Sequence, residues 1–186
     1  MIEIFIILIG LIFGSFANVC IHRLPLDLDI VKARSHCPKC KKKIIWYDNI
    51  PLLSSLILSF KCRTCKKKIS KQYFIVELLT GLAFIFFYKT LGLSFDFVLI
   101  CIIFLILLII FFIDLKHYII PDSLNFSLIL IGIIKNFTTQ DLLKFNYNLP
   151  DSLFGGALGY LIIWLIIFIY KQIRNKEAMG LGDAKL

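Results

Sequence analysis

Four cysteines and two aspartates are the residues of this chain whose types and spacing can do chemistry. Cys37-Pro38-Lys39-Cys40 and Cys62-Arg63-Thr64-Cys65 are each followed by Lys-Lys-Lys-Ile, so two octets repeat with a period of 25 residues. Two C-x2-C knuckles at this separation match a tetrahedral zinc site in which Cys37, Cys40, Cys62 and Cys65 give one metal ion four thiolates. The lysines beside them offset the net negative charge of such a centre. The competing readings are a redox dithiol and a pair of disulfides, and disulfides require an oxidising compartment. A centre closed by four thiolates has no open coordination position, so its expected role is to fix the loop and not to react.

Asp114 follows 17 uncharged apolar residues, 97–113. Alone it reads as a marker of the water boundary, as Asp96, Asp122 and Asp151 do, although an ionisable group facing a bundle interior is functional by default. Lys116 and His117 read as interfacial side chains that snorkel to water. Asp183 lies in Gly180-Leu181-Gly182-Asp183, where flanking glycines let the backbone bend and aim a carboxylate into a cavity. No strand precedes this run, so a dinucleotide loop is not supported. As a pair the two have a logic that neither has alone. Two carboxylates held close in a low-dielectric site cannot both ionise easily, so one keeps a proton. The ionised member can take a proton from water while the protonated member donates to a scissile carbonyl or leaving amine, and the apparent pKa values belong to the dyad.

The elements that position these residues are set by lipid. The chain of 186 residues is 59% apolar with a mean hydropathy of +0.87, where a soluble domain runs nearer half apolar. The apolar residues fall in runs and not in amphipathic stripes. Five segments result: 2–21, 72–88, 97–113, 123–134 and 153–170. The first lacks the basic region and cleavage site of a signal peptide and is expected to stay in the protein. Cys20 and Cys101 lie within apolar runs and read as small buried hydrophobes.

Of 21 lysines and arginines, 13 fall in residues 23–71, against three acids, Asp27, Asp29 and Asp48. A basic run this dense fits nucleic acid, an anionic membrane surface or a cytoplasmic loop. Between two apolar segments the last is the commonest, so no nucleic-acid partner is expected and the cysteines sit in a reducing compartment, which favours zinc. The positive-inside rule then places Met1 outside, 23–71 in the cytoplasm and Asp114 at the cytoplasmic edge. The basic cluster Lys171, Arg174 and Lys176 should also be cytoplasmic, so segments four and five must both cross, and Asp114 and Asp183 end on one face. The fold class expected is an all-α polytopic membrane protein, a helical bundle with a small cytoplasmic zinc-binding loop domain. Residues 1–22 form its first transmembrane helix, 23–71 the loop domain, and 72–186 a bundle of about four further helices.

The run Gly14-Ser15-Phe16-Ala17-Asn18-Val19-Cys20-Ile21-His22-Arg23-Leu24-Pro25 resembles the GSFxNVxxxRLP opening of the prepilin peptidases, or type IV leader peptidases. The likeness continues through Ser35-His36-Cys37-Pro38-Lys39-Cys40, Tyr47-Asp48-Asn49-Ile50-Pro51-Leu52-Leu53-Ser54 and Lys61-Cys62-Arg63-Thr64-Cys65. It resumes at Ile69-Ser70, Val76-Glu77-Leu78-Leu79-Thr80-Gly81, Ile113-Asp114, Ile120-Pro121-Asp122 and Lys176 to Asp183. The resemblance implies a bifunctional enzyme of the bacterial cytoplasmic (inner) membrane. Such an enzyme cleaves the leaders of type IV prepilins and type II secretion pseudopilins at the cytoplasmic face. It then N-methylates the new amino terminus with S-adenosylmethionine. It also implies Asp114 and Asp183 as the catalytic aspartates and the four cysteines as zinc ligands; residues that bind the methyl donor are not indicated. Two departures stand out. Phe60 occupies a position where the family often has glycine, and the chain stops three residues after Asp183, so a truncated carboxyl end is expected. The readings that compete with the enzyme are an inactive truncated paralogue and a membrane adaptor whose zinc loop docks a partner.

Overall fold

The apolar runs fold as helices. The computed structural model describes residues 1–30, 35–37, 39–137 and 149–174. Within them lie α1 (Ile2–Arg23), α2 (Leu53–Ile57), α3 (Gln72–Leu91), α4 (Phe95–His117), α5 (Asp122–Phe137) and α6 (Leu149–Arg174). Each of the five apolar segments falls inside one of these helices, and the described residues contain no strand beyond two isolated bridges. Three stretches are long and apolar enough to cross a membrane: Ile2–Leu26, Gln72–Leu91 and Phe95–His117. With 16 residues, α5 rises about 24 Å, short of the roughly 30 Å hydrocarbon core.

The chain divides into two compact units, Met1–Ile109 and Ile110–Leu186. The first is inside out relative to a water-soluble bundle. The covered face of α1 carries Gly10, Gly14, Ala17 and Asn18, while Ile4, Phe5, Ile12 and Phe16 are exposed. Likewise α3 buries Glu77, Thr80 and Gly81 and exposes Ile75, Leu82 and Phe86. Water would not tolerate this arrangement, whereas in lipid, where apolar burial gains nothing, small residues let helices approach and pack. The approach is close. A Cβ at Gly14 would collide with the Thr80 hydroxyl and lie 2.8 Å from Glu77 Cα, and one at Gly10 would lie 2.9 Å from the Thr80 carbonyl oxygen. The Thr80 hydroxyl donates to the Val76 carbonyl at 2.6 Å, which satisfies it without a partner from outside its helix. Asn18 Nδ2 donates across the interface to the Tyr73 carbonyl at 3.0 Å.

Towards the other end of α1 the contact becomes apolar. Ile6, Phe84, Phe97 and Cys101 form a buried cluster joining α1, α3 and α4, with Phe97 edge-on to Phe84 and to Tyr88 at 6.5 and 6.2 Å between centroids. The helices α3 and α4 are joined by Gly92-Leu93-Ser94. Gly92 takes φ +64° and ψ −164°, a conformation open in practice to glycine alone, and Ser94 Oγ accepts the Phe97 N–H at 3.1 Å as the cap of α4. Cys20 and Cys101 are buried, as expected of small hydrophobes. Asp96 departs from its expected role as a solvated boundary marker: in the first turn of α4 it is buried.

In the second unit, α6 exposes Leu153, Phe154, Leu161, Trp164 and Phe168, a surface suited to lipid or to other helices. A valine at Gly14 overpacks the α1–α3 contact, which costs about 1–3 kcal/mol and should lower the unfolding temperature in detergent by several degrees. Gly132→Val, at a position with open space around it, should leave that temperature unchanged. The measurement is a thermal melt of the purified variants.

Candidate metal centre and the cavity beside it

The two octets of the sequence fold into the same turn twice. Cys37 N–H donates to the Lys42 carbonyl and Lys41 N–H to the Cys37 carbonyl, each at 2.9 Å; Cys62 with Lys67, and Lys66 with Cys62, repeat both bonds at 2.9 Å. Isolated bridges His36–Lys43 and Lys61–Lys68 close each turn. The residue after the second cysteine, Lys41 or Lys66, takes φ +59° or +57° in the two copies. Such a turn aims successive backbone N–H groups at the sulfurs, which stabilises thiolates.

Within the centre the four Sγ atoms lie within 4.8 Å of one another, with Cys37 and Cys65 at 3.9 Å. Four sulfurs at about 2.3 Å from a tetrahedral zinc ion stand about 3.8 Å apart, so the spacing fits a metal of that kind. N–H groups of Cys65 and Thr64 hold the Cys62 thiol down at about 6. The Lys67 N–H acts in the same sense on Cys65, but desolvation and the neighbouring sulfurs outweigh it and push Cys65 up to about 11. A cation among the sulfurs removes that conflict. Lys41 to Lys43 and Lys66 to Lys68 are exposed around the centre.

The loop that carries the knuckles is tied down at several points. Arg63, inside the second knuckle, makes a bidentate pair with Asp48, Nε to Oδ2 at 2.8 Å and Nη2 to Oδ1 at 2.6 Å. Its hydrogen bonds hold the Asp48 carboxyl below the ordinary range, so the pair contributes at neutral pH and is lost only as pH falls through that lowered value. Phe60, where the resembled family often has glycine, takes φ +57°. The left-handed backbone is the reason glycine suits this position, and the ring packs edge-on against Phe74 at 5.7 Å. At the end of α1, buried Arg23 donates to the Asp29 and Ile30 carbonyls at 3.0 and 3.2 Å and so fastens the chain as it leaves the helix.

A further tie was not foreseen. Leu52 takes φ +60° and ψ −50°, and Leu53 N–H reaches back to the Pro51 carbonyl at 2.6 Å. This is a γ-turn of the strained, positive-φ kind. The Leu52 N–H, turned outward, donates to Glu77 Oε2 at 2.9 Å. Glu77 is buried in α3, one turn after Tyr73, and also accepts a hydrogen bond from Ser15 of α1. A carboxylate on a membrane helix thus holds a strained loop turn in place. Beside it lies a cavity of about 180 Å³ between α1, the start of α3, α2 and the first knuckle, lined by Ser15, Asn18, His22, Ser55, Tyr73 and Glu77 among others. The signal that could have revealed Glu77 was in the sequence: an acid within an apolar segment.

Asp114 is half-buried in the last turn of α4, where Tyr118 N–H caps its carbonyl at 2.9 Å and Tyr118 turns left-handed at φ +54° to end the helix. The partner expected for it, Asp183, and the Gly180-Leu181-Gly182 run lie outside the described residues.

Titration of metal-free protein with cobalt(II) should give an intense thiolate charge-transfer band that saturates at one ion per chain. In Cys37→Ser or Cys62→Ser the band should weaken severalfold or vanish; an undiminished band would remove these residues as ligands.

The profile of the Bacterial Peptidase A24 N-terminal domain matches residues 8–91, and that of the Type IV leader peptidase family matches residues 99–186. A prepilin leader peptidase/N-methyltransferase of Myxococcus xanthus is 39% identical over 184 residues, 98% of this chain and 53% of that protein. Proteins of the same name from Klebsiella pneumoniae and Vibrio cholerae are 35% and 38% identical over 188 residues each. These alignments cover 98% and 96% of this chain, and 80% and 72% of those proteins. The chain therefore spans about half the length of the first relative and most of the other two. No solved structure matches it significantly. With alignments running through nearly all of its residues, the chain belongs to the type IV leader peptidase family.

Proposed function

We propose that this protein is a membrane aspartic endopeptidase. It would cleave the leaders of type IV prepilins and pseudopilins at the cytoplasmic face of the bacterial inner membrane, then N-methylate the exposed amino terminus. The observation that carries the reading is the co-linear likeness to proteins named for both activities, over 96–98% of the chain. Asp114 and Asp183 both lie in the half that matches the Type IV leader peptidase family, residues 99–186. Asp114 follows the uncharged stretch 97–113 in the last turn of α4, the depth at which the scissile bond of a membrane-anchored substrate would sit.

In this reading residues 1–22 form the first transmembrane helix, 23–71 the cytoplasmic loop domain and 72–186 the bundle with the protease site. The basic residues of 23–71 support the cytoplasmic placement. One aspartate, ionised, takes a proton from water as the water oxygen attacks the scissile carbonyl carbon. The other, protonated, donates to the carbonyl oxygen. Collapse of the tetrahedral adduct breaks the C–N bond, the departing amine takes a proton, and the dyad returns to its singly protonated state. Zinc, held by Cys37, Cys40, Cys62 and Cys65, is structural here, because four thiolates close its coordination sphere. S-adenosylmethionine supplies the methyl group for the second reaction, and the chain's task there is to hold a deprotonated amine in line with it.

The test is cleavage of a prepilin by detergent-solubilised protein. Wild type should release the leader, and Asp114→Asn or Asp183→Asn should lower the rate by at least three orders of magnitude. Cleavage by either variant at the wild-type rate would sink the dyad. Labelling that opened positions 114 and 183 to opposite sides of the bilayer would sink the shared site.

A further inference from the structure

Inside the most basic stretch of the chain lies a run that carries no charge, residues 49–60. Part of it folds as α2, and Leu53, Leu56 and Ile57 share one face of that helix at i, i+3 and i+4. These three form its outward side, with Ile57 75% exposed. Ser54 and Ser55 are half-buried and line the cavity that α2 shares with α1 and α3. An element with hydroxyls inside and large apolar side chains outside is arranged as α1 and α3 are, for lipid and not for water.

The position of α2 along the spanning helices agrees with its surface. The residue before it, Leu52, donates to Glu77, which stands five residues into α3, about 7.5 Å along the axis. Ser15, which donates to the same carboxylate, stands eight residues before the end of α1, about 12 Å. The far end of the segment is held by Phe60, whose ring packs on Phe74 in the first turn of α3. Left-handed residues turn the chain at both ends, Leu52 at φ +60° and Ser59 and Phe60 at +48° and +57°. So α2 dips alongside two stretches long and apolar enough to cross a membrane, Ile2–Leu26 and Gln72–Leu91. Its depth is the roughly 5–10 Å that an interfacial helix reaches. Between α2 and α3 come Lys61, Lys66, Lys67, Lys68 and Lys71, all exposed. Lysines beside a spanning helix are drawn to anionic headgroups.

We propose that α2 is inserted in the membrane leaflet, with Leu53, Leu56 and Ile57 among the acyl chains and the lysines of 61–71 on the phosphates of anionic lipids. Charge decides for lipid over a protein partner. An apolar face followed at once by cations matches a surface that is apolar within and negative at its edge. The inference goes beyond the peptidase reading and needs only that α1 and α3 span the bilayer. The leaflet thereby fixes one wall of the cavity, since Ser54 and Ser55 belong to the inserted helix.

The experiment uses the full chain, purified with zinc, in nanodiscs of phosphatidylcholine alone or with about a third phosphatidylglycerol. The photo-cross-linker p-benzoylphenylalanine replaces Ile57 or, as a control on the exposed face of α3, Leu82, and its adducts are read by mass spectrometry. Position 57 should capture lipid with a yield within about threefold of position 82. Should the label at 57 unfold the chain, as its thermal melt would show, the label at Leu56 replaces it. Trypsin cleavage after Lys61 to Lys71 should slow severalfold in the anionic discs, and high salt should abolish the difference. Capture of lipid at 82 and not at 57 overturns the proposal. So does an adduct at 57 to a second copy or to added prepilin in place of lipid, and so do equal trypsin rates in the two discs. Prepilin cleavage by wild type in the same discs keeps the two readings apart. Lipid capture without cleavage leaves the insertion and removes the peptidase, whereas cleavage without capture does the reverse.

Discussion

The close approach of α1 and α3 is the constraint on which the rest of the first unit depends. Glycines at positions 10 and 14 bring the α1 backbone against Thr80, Gly81 and the Glu77 Cα, a distance that no larger residue permits. At that separation Asn18 reaches the Tyr73 carbonyl and Ser15 reaches Glu77. Moving the helices apart by the width of a methyl group would break both. In lipid this packing cannot rest on burial of apolar surface, so it rests on van der Waals contact and on hydrogen bonds satisfied across the interface.

From that pair the order passes into the loop. Glu77 holds the Leu52 N–H, Arg23 holds the carbonyls just after α1, and the Asp48–Arg63 pair ties the stretch around residue 48 to the second knuckle. Among the described residues of the loop, Cys37 is the one buried hydrophobe, so the loop is not ordered by a core of its own. A cluster of four cysteines able to hold a metal ion and a set of charged or strained anchors take the place of that core. The Phe60 ring on Phe74 adds a contact that a glycine would not make, at the cost of a left-handed backbone.

The sequence carried much of this, for physical reasons that differ by element. The apolar runs were legible because lipid imposes a continuous pattern of about twenty residues, and α1, α3 and α4 appear where those runs lie. The four-cysteine cluster was legible because cysteine spacing fixes a turn, and the period of 25 residues became the same hydrogen bonds twice. The roles of Gly10 and Gly14 were not, because a small residue in an apolar segment has no signature until its neighbour is known. Glu77 was visible as an acid among hydrophobes, yet its partner Leu52 lies 25 residues earlier and belongs to a turn whose positive φ leucine no propensity would suggest. Asp183 lies outside the described residues, so its proposed pairing with Asp114 is argued from charge, parity and family likeness.

The two knuckles share a backbone but not an environment. Cys37 is buried, whereas Cys40, Cys62 and Cys65 are partly open to solvent. Ligand exchange at a four-thiolate centre proceeds one sulfur at a time, so attack by an oxidant or a competing chelator would start on the open sulfurs. Cys37 would be the last to let go and the first in place when metal returns, giving the centre a direction of assembly that its repeated sequence conceals.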